Sequence, residues 1–301
     1  MIYEYAITPS LCSDWQDLRY FLSNFKGEQG RLFSDVPRKK WKILAKSAVN
    51  QSNWGPVMKN RLKTGIDKLA RQSIHRRNYV PEPQSDLWLD HAITAHKDRP
   101  FMAIISDGLR SEEDSIISIE KNLDENYRWD IPFDRIIRRR PPEMVKEIMP
   151  MLDCSREVVL IDRNFDPMKY RWREFLIELV KTLSQREFSP SIYKIGYHTG
   201  DHIDGRRISA HEIEIMCNKK LSKEIPMNMT INFAVWPKEE LHDRYVITDV
   251  GGIEFGIGLD IYDGSGPEEV RLSRISDDTR KSLWGRCKSR NIDFSLKGAN
   301  I

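Results

Sequence analysis

The chain has 301 residues, of which 40% are apolar, and a formal net charge of +3 at pH 7. It is long enough for one large domain or two ordinary ones, and its near-neutral charge decides little about its partners. No apolar run approaches the roughly 20 residues that cross a bilayer, and the N-terminus lacks the basic start and apolar stretch of a signal peptide. The four cysteines form no Cys-x-x-Cys pair, which is typical of reduced thiols and argues against a disulfide framework. The sequence therefore predicts a soluble, cytoplasmic protein that is not embedded in a membrane.

Residues 1–98 are predicted to be mainly helical. Apolar residues recur at helical spacing over 15–25, 41–48 and 57–74, and a further helix is predicted over 87–95. The Pro81-Glu82-Pro83 break and a buried strand predicted over 101–106 then mark a change of pattern. We therefore expect a helical, basic N-terminal region, 1–98, followed by an α/β domain, 99–301.

Positive charge is concentrated in the N-terminal region. Residues 37–77 contain twelve lysines and arginines but a single acid, Asp67. Solvated helices usually mix both signs, so this excess predicts contact with DNA or RNA, whose phosphates attract clustered cations. The candidate contact residues are Arg38, Lys39, Lys40, Lys42, Arg61, Lys63, Lys68 and Arg71. The alternative is a solvated helix face whose charge is balanced by acids elsewhere in the chain.

Strands and helices alternate through the second domain. Strands are predicted over 101–106, 157–162, 191–197 and 229–236, and helices over 112–127, 143–152, 170–184, 209–223 and 277–289. Alternation of this kind indicates an α/β protein with a mixed sheet flanked by helices.

A β-hairpin is predicted near the end of this pattern, with strands over 241–249 and 253–260 around a Gly-Gly turn. Because side chains two apart on a strand share a face, His242 and Arg244 point the same way. Gly256 and Gly258 fall together on the second strand, where a bare backbone lets an anion approach closely. An imidazole and a guanidinium beside two glycines outline a phosphate-binding site.

The spacing of this hairpin resembles that of a known family. His242, Arg244 and Asp249 stand at relative positions 0, +2 and +7. This is similar to the His-x-Lys-x4-Asp signature of the phospholipase D superfamily, with Arg in the Lys position. Gly256, at +14, stands where that family begins its Gly-Ser-x-Asn segment, and residues 158–166 resemble its early strand and loop.

The resemblance implies a metal-independent phosphodiesterase that needs no cofactor. His242 would attack phosphorus and form a phosphohistidine, Arg244 would neutralise the non-bridging oxygens, and Asp249 would hold a histidine tautomer. The family uses a second histidine to protonate the leaving oxygen, and no second copy of the motif occurs in the chain. The resemblance therefore implies a homodimer or a complex with a partner subunit. With the basic region, it favours a nuclease, and at family level it suggests a role in bacterial antiviral defence.

Two departures from the family pattern leave another function open. Ile257 stands in the Ser position and Leu259 in the Asn position, so two polar phosphate contacts are missing. The alternative is a catalytically degenerate domain that binds nucleic acid or serves as a scaffold.

Three further clusters carry weaker hypotheses. His198, Asp201, His202 and His211 have the residue types of a metal site, although polar loop histidines are commoner than ligands. Asp162 and Asp166 follow a predicted strand and could be the metal-binding carboxylates of a nuclease. The Arg138-Arg139-Arg140 run is either a second phosphate contact or a solvated loop.

Overall fold

The computed structural model describes residues 1–75, 77, 82–83, 85–107, 114–119, 123–186, 192, 194–242 and 244–298. The chain forms two compact units, one of residues 2–132 and one of residues 133–301 together with Met1. Both units combine strands and helices, which confirms the predicted α/β class with helices flanking mixed sheets.

The N-terminal unit is built on a five-stranded parallel sheet in the order β3-β2-β1-β4-β5. Its strands are β1 (Tyr3–Ile7), β2 (Arg31–Ser34), β3 (Ile74–His75), β4 (Ile104–Ser106) and β5 (Ile116–Ser118). Its helices are α1 (Trp15–Asn24), α2 (Trp41–Gln51), α3 (Pro56–Ser73) and α4 (Trp88–Asp98). The four helices confirm the N-terminal pattern, but the sheet was not part of the prediction.

The missed strands are short and almost fully buried. Tyr5 and Ile7 of β1 pack into one apolar core, while Ala6 packs into another on the opposite face with the Ala92 and Ala95 side chains of α4. A parallel sheet covered on both faces gives a continuous apolar run without alternation, which periodicity cannot distinguish from helix. The sequence therefore indicated that these residues are buried but not that they form strands.

The two units divide at 132/133, whereas the sequence predicts a boundary at 98/99. The strand predicted over 101–106 appears as β4, whose Ile104 pairs with Ala6 of β1 in the N-terminal sheet. The helix predicted over 112–127 is replaced in its described part by β5 and a short 3-10 helix, Leu123–Glu125. Residues 112–113 and 120–122 of that prediction lie outside the described residues.

The C-terminal unit contains an eight-stranded sheet in the order β15-β11-β8-β7-β12-β13-β14-β6 and a small β9-β10 ribbon. Its strands are β6 (Asp134–Arg138), β7 (Val158–Ile161), β8 (Lys194–Gly200), β9 (His202–Ile203), β10 (Arg206–Arg207), β11 (Thr230–Trp236), β12 (Tyr245–Thr248), β13 (Gly252–Phe255), β14 (Glu269–Arg274) and β15 (Phe294–Lys297). Its helices are α5 (Pro141–Asp153), α6 (Tyr170–Ser184), α7 (Ala210–Leu221) and α8 (Asp277–Ser289). Positions 191 and 193 of the strand predicted over 191–197 lie outside the described residues.

The directions of the central strands define one edge of this sheet. Strands β7, β8 and β11 are parallel, and the helices α6 and α7 lie in the connections between them. Strand β12 is antiparallel to β7, with Tyr245 opposite Ile161. The carboxyl ends of β7, β8 and β11 therefore lie at the same edge as the amino end of β12. We call this the carboxyl edge, and it is where open α/β sheets usually bind ligands.

Two predictions about the chain as a whole can be compared with the structure. All four cysteines are buried and none is joined to another by a disulfide. None of the helices that the structure describes is long and apolar enough to cross a membrane.

Candidate functional site

The predicted hairpin is present, but both strands are shorter than predicted, so Gly256 and Gly258 lie in the loop after β13 and not on a strand. Strands β12 and β13 pair antiparallel, with Tyr245 opposite Glu254, and the turn includes Gly251. His242 and Arg244 lie just before β12, on the chain that reaches the carboxyl edge, while Asp243 lies outside the described residues. The structure thus places both predicted phosphate-binding side chains at the edge where ligands are expected.

Arg244 is half-buried and keeps hydrogen-bonding capacity. Its carbonyl oxygen accepts a hydrogen bond from the Phe255 N–H at 2.9 Å, which fixes the backbone. Its Nε is buried with no hydrogen-bond partner among the described residues. A buried guanidinium nitrogen without an acceptor is costly unless an anion or water completes it. His242 beside it is exposed.

Asp249 does not meet His242. It lies beyond the opposite end of β12, exposed, where its Oδ1 accepts N–H hydrogen bonds from Arg156 at 3.0 Å and Glu157 at 3.4 Å. Seven residues of mostly extended chain separate it from His242, a span of roughly 20 Å. In this structure Asp249 positions the chain that enters β7, and the predicted hold on a histidine tautomer is not made.

Asp162 organises the loop that follows β13. It is fully buried directly after β7, and its two carboxylate oxygens accept N–H hydrogen bonds from Asn164 at 3.0 Å and Leu259 at 2.9 Å. Burial raises the pKa of Asp162 to about 6, against the opposing effect of these donors and of the Arg244 charge. Asp162 therefore ties the 256–260 loop to the carboxyl edge.

One of the two glycines, Gly258, allows this loop to pass close to its neighbours. At Gly258, where φ is +142°, a Cβ would lie 2.5 Å from Oδ1 of Asp260. At Gly256 a Cβ would lie 3.4 Å from the carbonyl oxygen of Arg271. The absence of a side chain is thus required for chain packing at Gly258, whereas 3.4 Å at Gly256 is an ordinary van der Waals contact.

Asp260 draws two arginines to the same point. It is 1% exposed, and its Oδ2 lies 2.6 Å from a terminal nitrogen of Arg139 and 2.9 Å from one of Arg171. Its Oδ1 has no hydrogen-bond partner among the described residues. These three residues line a cavity of about 270 Å³ together with Asn164, Trp172 and Ile257. The cavity therefore holds two guanidiniums that share the Asp260 carboxylate, and Arg171 also lies 3.5 Å from the more exposed carboxylate of Asp263.

A larger cavity of about 610 Å³ adjoins this one. Both are lined by Asn164, Arg171 and Trp172, so we treat them as one depression, the edge trough. The larger part adds the side chains of Lys169, Tyr170, His202, Asp204 and Lys238. The cations, imidazole and aromatic rings of the edge trough are groups that recognise phosphate esters. The trough is lined by as many carboxylates as cations, and these are Asp166, Asp204, Asp260 and Asp263.

The metal-binding hypotheses are not supported by the arrangement. His198 is buried, and its Nδ1 accepts a hydrogen bond from the Trp236 indole at 2.9 Å. Its pKa is lowered to about 4, first by burial and then by nearby positive charge. His211 is exposed on α7 and lies 3.4 Å from Glu214. Within the C-terminal unit, no three described His, Cys, Asp or Glu side chains converge on one point.

Asp166, the other acidic residue considered as a metal ligand, makes local contacts. Oδ1 of Asp166 accepts the Met168 N–H at 2.9 Å, and its Oδ2 lies 3.5 Å from the Lys169 ammonium. Asp166 thus caps the turn before α6, as Asp162 caps the turn after β7.

The basic region of the N-terminal unit is exposed but partly neutralised. Arg38, Lys39 and Lys40 are exposed between β2 and α2. Lys42 and Lys46 both pair with Asp67, the single acid of the region, at 3.3 and 2.8 Å. The other candidates lie on α3; Lys63 is half-buried, whereas Arg61, Lys68 and Arg71 are exposed, and the Arg61 guanidinium stacks 3.9 Å from the centre of the Trp15 ring. Exposed pairs of this kind are weak, so these lysines remain able to meet phosphate.

Several site residues were not identified as such from the sequence. Arg139 was visible only as part of an arginine run, in which Arg138 is exposed on β6 and Arg140 pairs with Glu268 at 3.6 Å. Arg171 lies on the first turn of α6, and nothing in the neighbouring sequence marked it as a site residue. Only its contact with Asp260 in the folded chain does so. Spatial convergence of this kind leaves no local pattern.

Comparison with known proteins adds little. No protein-family model matches the chain, and no curated protein matches its sequence. A solved structure of TrmBL2, described as an archaeal chromatin protein with a novel mode of DNA binding, aligns over 53% of this chain and 52% of that chain, at 10% identity and a TM-score of 0.28. At that TM-score the likeness supports neither a common fold nor a common function.

Proposed function

We propose that the protein is a phospholipase D-like phosphodiesterase whose substrate is nucleic acid. His242 is the nucleophile and Arg244 binds the non-bridging oxygens of the phosphate. The observation that carries the proposal is the Arg244 guanidinium at the carboxyl edge, whose Nε is buried without a described partner two residues after the exposed His242. An incoming phosphate would complete its hydrogen bonds with charge assistance.

The surroundings favour a phosphate ester over a neutral substrate. Arg139 and Arg171 line the smaller cavity of the edge trough, where Asp260 pairs with both and Asp263 lies 3.5 Å from Arg171. Guanidiniums fixed before the substrate arrives can stabilise the charge that develops on a phosphoryl group. The exposed cations of the N-terminal unit favour a polyanionic substrate, DNA or RNA, over a single small ester.

The reaction starts with attack of the His242 imidazole on phosphorus. An N–P bond forms, the P–O bond to the leaving oxygen breaks, and Arg244 holds the phosphoryl oxygens. The leaving oxygen then requires a proton donor. A second copy of the chain or a partner subunit would supply it if this chain does not.

The decisive experiment compares wild type with His242→Ala on single- and double-stranded DNA and RNA, with EDTA present throughout. We expect wild type to cut at least one of these substrates and the variant to cut none. The matched control is His211→Ala, an exposed histidine on α7 that should leave cleavage unchanged. Cleavage that EDTA abolishes, or that survives His242→Ala, would refute the mechanism.

A second candidate is a binding domain without catalysis, and the position of Asp249 favours it. That carboxylate lies at the opposite end of β12, so the motif supplies no acceptor to orient the His242 ring. Such a domain would bind DNA or RNA through the same arginines. Equal nucleic-acid affinity of wild type and His242→Ala, with no cleavage by either, would decide for binding.

A further inference from the structure

The chain that leaves β8 brings a second histidine to the carboxyl edge. Gly200 ends the strand, and its N–H contacts the carbonyl oxygen of Arg163 at 3.3 Å. A Cβ at Gly200 would lie only 2.7 Å from that oxygen, so the two loops are in direct contact. Asp201 and His202 follow immediately, beside the turn that holds Asp162.

The same contact network leads back toward His242. The Asp201 Oδ1 accepts the Lys238 N–H at 3.0 Å, and Lys238 precedes His242 by four residues. In the sheet, β8 and β12 are separated only by β7. Two strand spacings of about 4.8 Å place the axes of β8 and β12 roughly 10 Å apart, so the segment that follows β8 and the segment that precedes β12 meet the same part of the carboxyl edge.

His202 is held by a carboxylate in a fixed orientation. Its Nδ1 lies 2.7 Å from Oδ1 of Asp201. Burial would raise the pKa of the Asp201 carboxyl, but hydrogen bonds from His202, the Lys238 N–H and Arg207 lower it. An ionised acceptor at this distance fixes the proton of His202 on Nδ1 and leaves Nε2 as the reactive nitrogen.

No other described histidine of the C-terminal unit has these properties. His202 lines the edge trough and pairs with a carboxylate. The Nδ1 of His198 is already used by an indole, and His211 lies on the outer surface of α7. His242 carries no carboxylate from its own motif. A reaction that needs one histidine as nucleophile and another as proton donor could thus use His242 for the first role and His202 for the second.

We propose that His202 is the general acid and base of the same chain's site and that Asp201 is its positioning residue. The proposal rests on the phosphodiesterase function of His242. When His242 attacks phosphorus, the Nε2–H of protonated His202 gives its proton to the leaving alkoxide. Neutral His202 then takes a proton from the water that attacks the phosphohistidine, the N–P bond breaks, and both histidines return to their starting states. Proton transfer of this kind contributes typically 10²- to 10⁴-fold.

The test uses two substrates that differ in their need for a proton. An oligonucleotide leaves as an alkoxide and requires the acid, whereas bis(p-nitrophenyl) phosphate leaves as a stable phenolate and does not. We expect His202→Gln to lose 10²- to 10⁴-fold on the oligonucleotide. With the nitrophenyl diester it should release about one equivalent of phenolate per chain and then stall as a phosphoryl adduct of His242, visible by intact mass. Asp201→Asn should show the same dependence on leaving group in weaker form.

Two controls separate this role from loss of folding and from a shared dimer site. His211→Gln should behave as wild type on both substrates, and an equal loss of His202→Gln on both would overturn the acid role. A mixture of His202→Gln and His242→Gln chains should remain inactive, because neither chain holds a complete site. Recovery of activity in that mixture would overturn the same-chain assignment.

A third measurement needs no turnover. Addition of inorganic tungstate, a phosphate mimic, should shift the ring resonances of His202 in wild type and leave those of His211 unchanged. Unshifted His202 resonances under saturating tungstate would refute its place in the site. Failure of wild type to cut any substrate would refute the proposed function and this role together, whereas cutting that His202→Gln leaves intact would refute this role alone.

Discussion

The pairing of Asp260 with two arginines predicts opposite effects on stability and on anion binding. Asp260→Asn keeps the shape of the side chain but removes its charge from between Arg139 and Arg171. The carboxylate is 1% exposed and Arg139 is 4% exposed, so solvent does not replace the lost partner. We expect the C-terminal unit to become less stable while its cavity binds anions more tightly.

The magnitudes follow from burial and distance. Removing one partner of a buried ion pair costs about 3–5 kcal/mol because a charge is left uncompensated. An anion bound about 5 Å from the carboxylate is repelled by roughly 3 kcal/mol at an effective dielectric constant of 20. Screening and adjustment of the arginines reduce this, so we expect binding of inorganic tungstate to tighten at least tenfold, or about 1.4 kcal/mol.

Stability of the C-terminal unit is measured by chemical denaturation, with hydrogen exchange of peptides from β7 and β8 as the signal. Tungstate affinity is measured separately by calorimetric titration. The matched control is Asp263→Asn, since Asp263 lies 3.5 Å from Arg171 but is 36% exposed. Such an exposed pair contributes at most about 1 kcal/mol. If Asp260→Asn is as stable as wild type, or binds tungstate no more tightly, the arginines are not held ready for an anion.

Three further outcomes concern acid stability, Asp249 and the loop glycine. Burial would raise the pKa of Glu4, but Arg77 and its neighbours lower it to about 2. The ionised carboxylate therefore contributes about 3 kcal/mol to the unfolding free energy above pH 4.5, and this contribution is lost as the pH falls toward 2. Urea denaturation at pH 7, 4.5 and 3 should show the loss, and Glu4→Gln should abolish this dependence on pH. Asp249→Ala should lower the unfolding free energy by about 1–2 kcal/mol without changing tungstate affinity in calorimetry, and reduced affinity would contradict its remote position. Gly258→Ala should cost more than about 2 kcal/mol by thermal denaturation, whereas Gly264→Ala, also at positive φ but in open space, should cost about 1 kcal/mol; equal costs would refute the close approach.

Local sequence patterns predicted those elements whose conformation is decided by near neighbours. The hairpin follows from β-branched residues around Gly251-Gly252, and the α7 start follows from the reciprocal Ser209–Glu212 capping box, which the structure contains. Strand β1 was missed because its partners in β2 and β4 lie 28 and 98 residues further along the chain. The five residues of β1, which include Glu4, are too few to show a period that indicates a strand.

Only the residues of one motif were indicated by the sequence. His242 and Arg244 were singled out by their spacing on a predicted strand, although the structure places them on the segment before β12. Arg139, Arg171 and Asp260 come from the end of β6, the start of α6 and the loop after β13, and the Arg139–Asp260 contact spans 121 residues. Asp249 illustrates the converse, since its spacing matched the motif while its hydrogen bonds place it at the other end of the strand.

The same convergence bears on the two missing polar groups of the motif. Leu259 is 1% exposed and gives its N–H to Asp162, so the loop is anchored through its backbone at the position where a polar side chain was expected. Ile257 lines the smaller cavity directly beside Arg139 and Arg171. A serine and an asparagine each offer one or two hydrogen bonds to phosphate, whereas a guanidinium offers a fixed pair with charge. Under the proposed function, Arg139 and Arg171 would supply phosphate contacts that the two replaced residues do not, because they line the same cavity as Ile257.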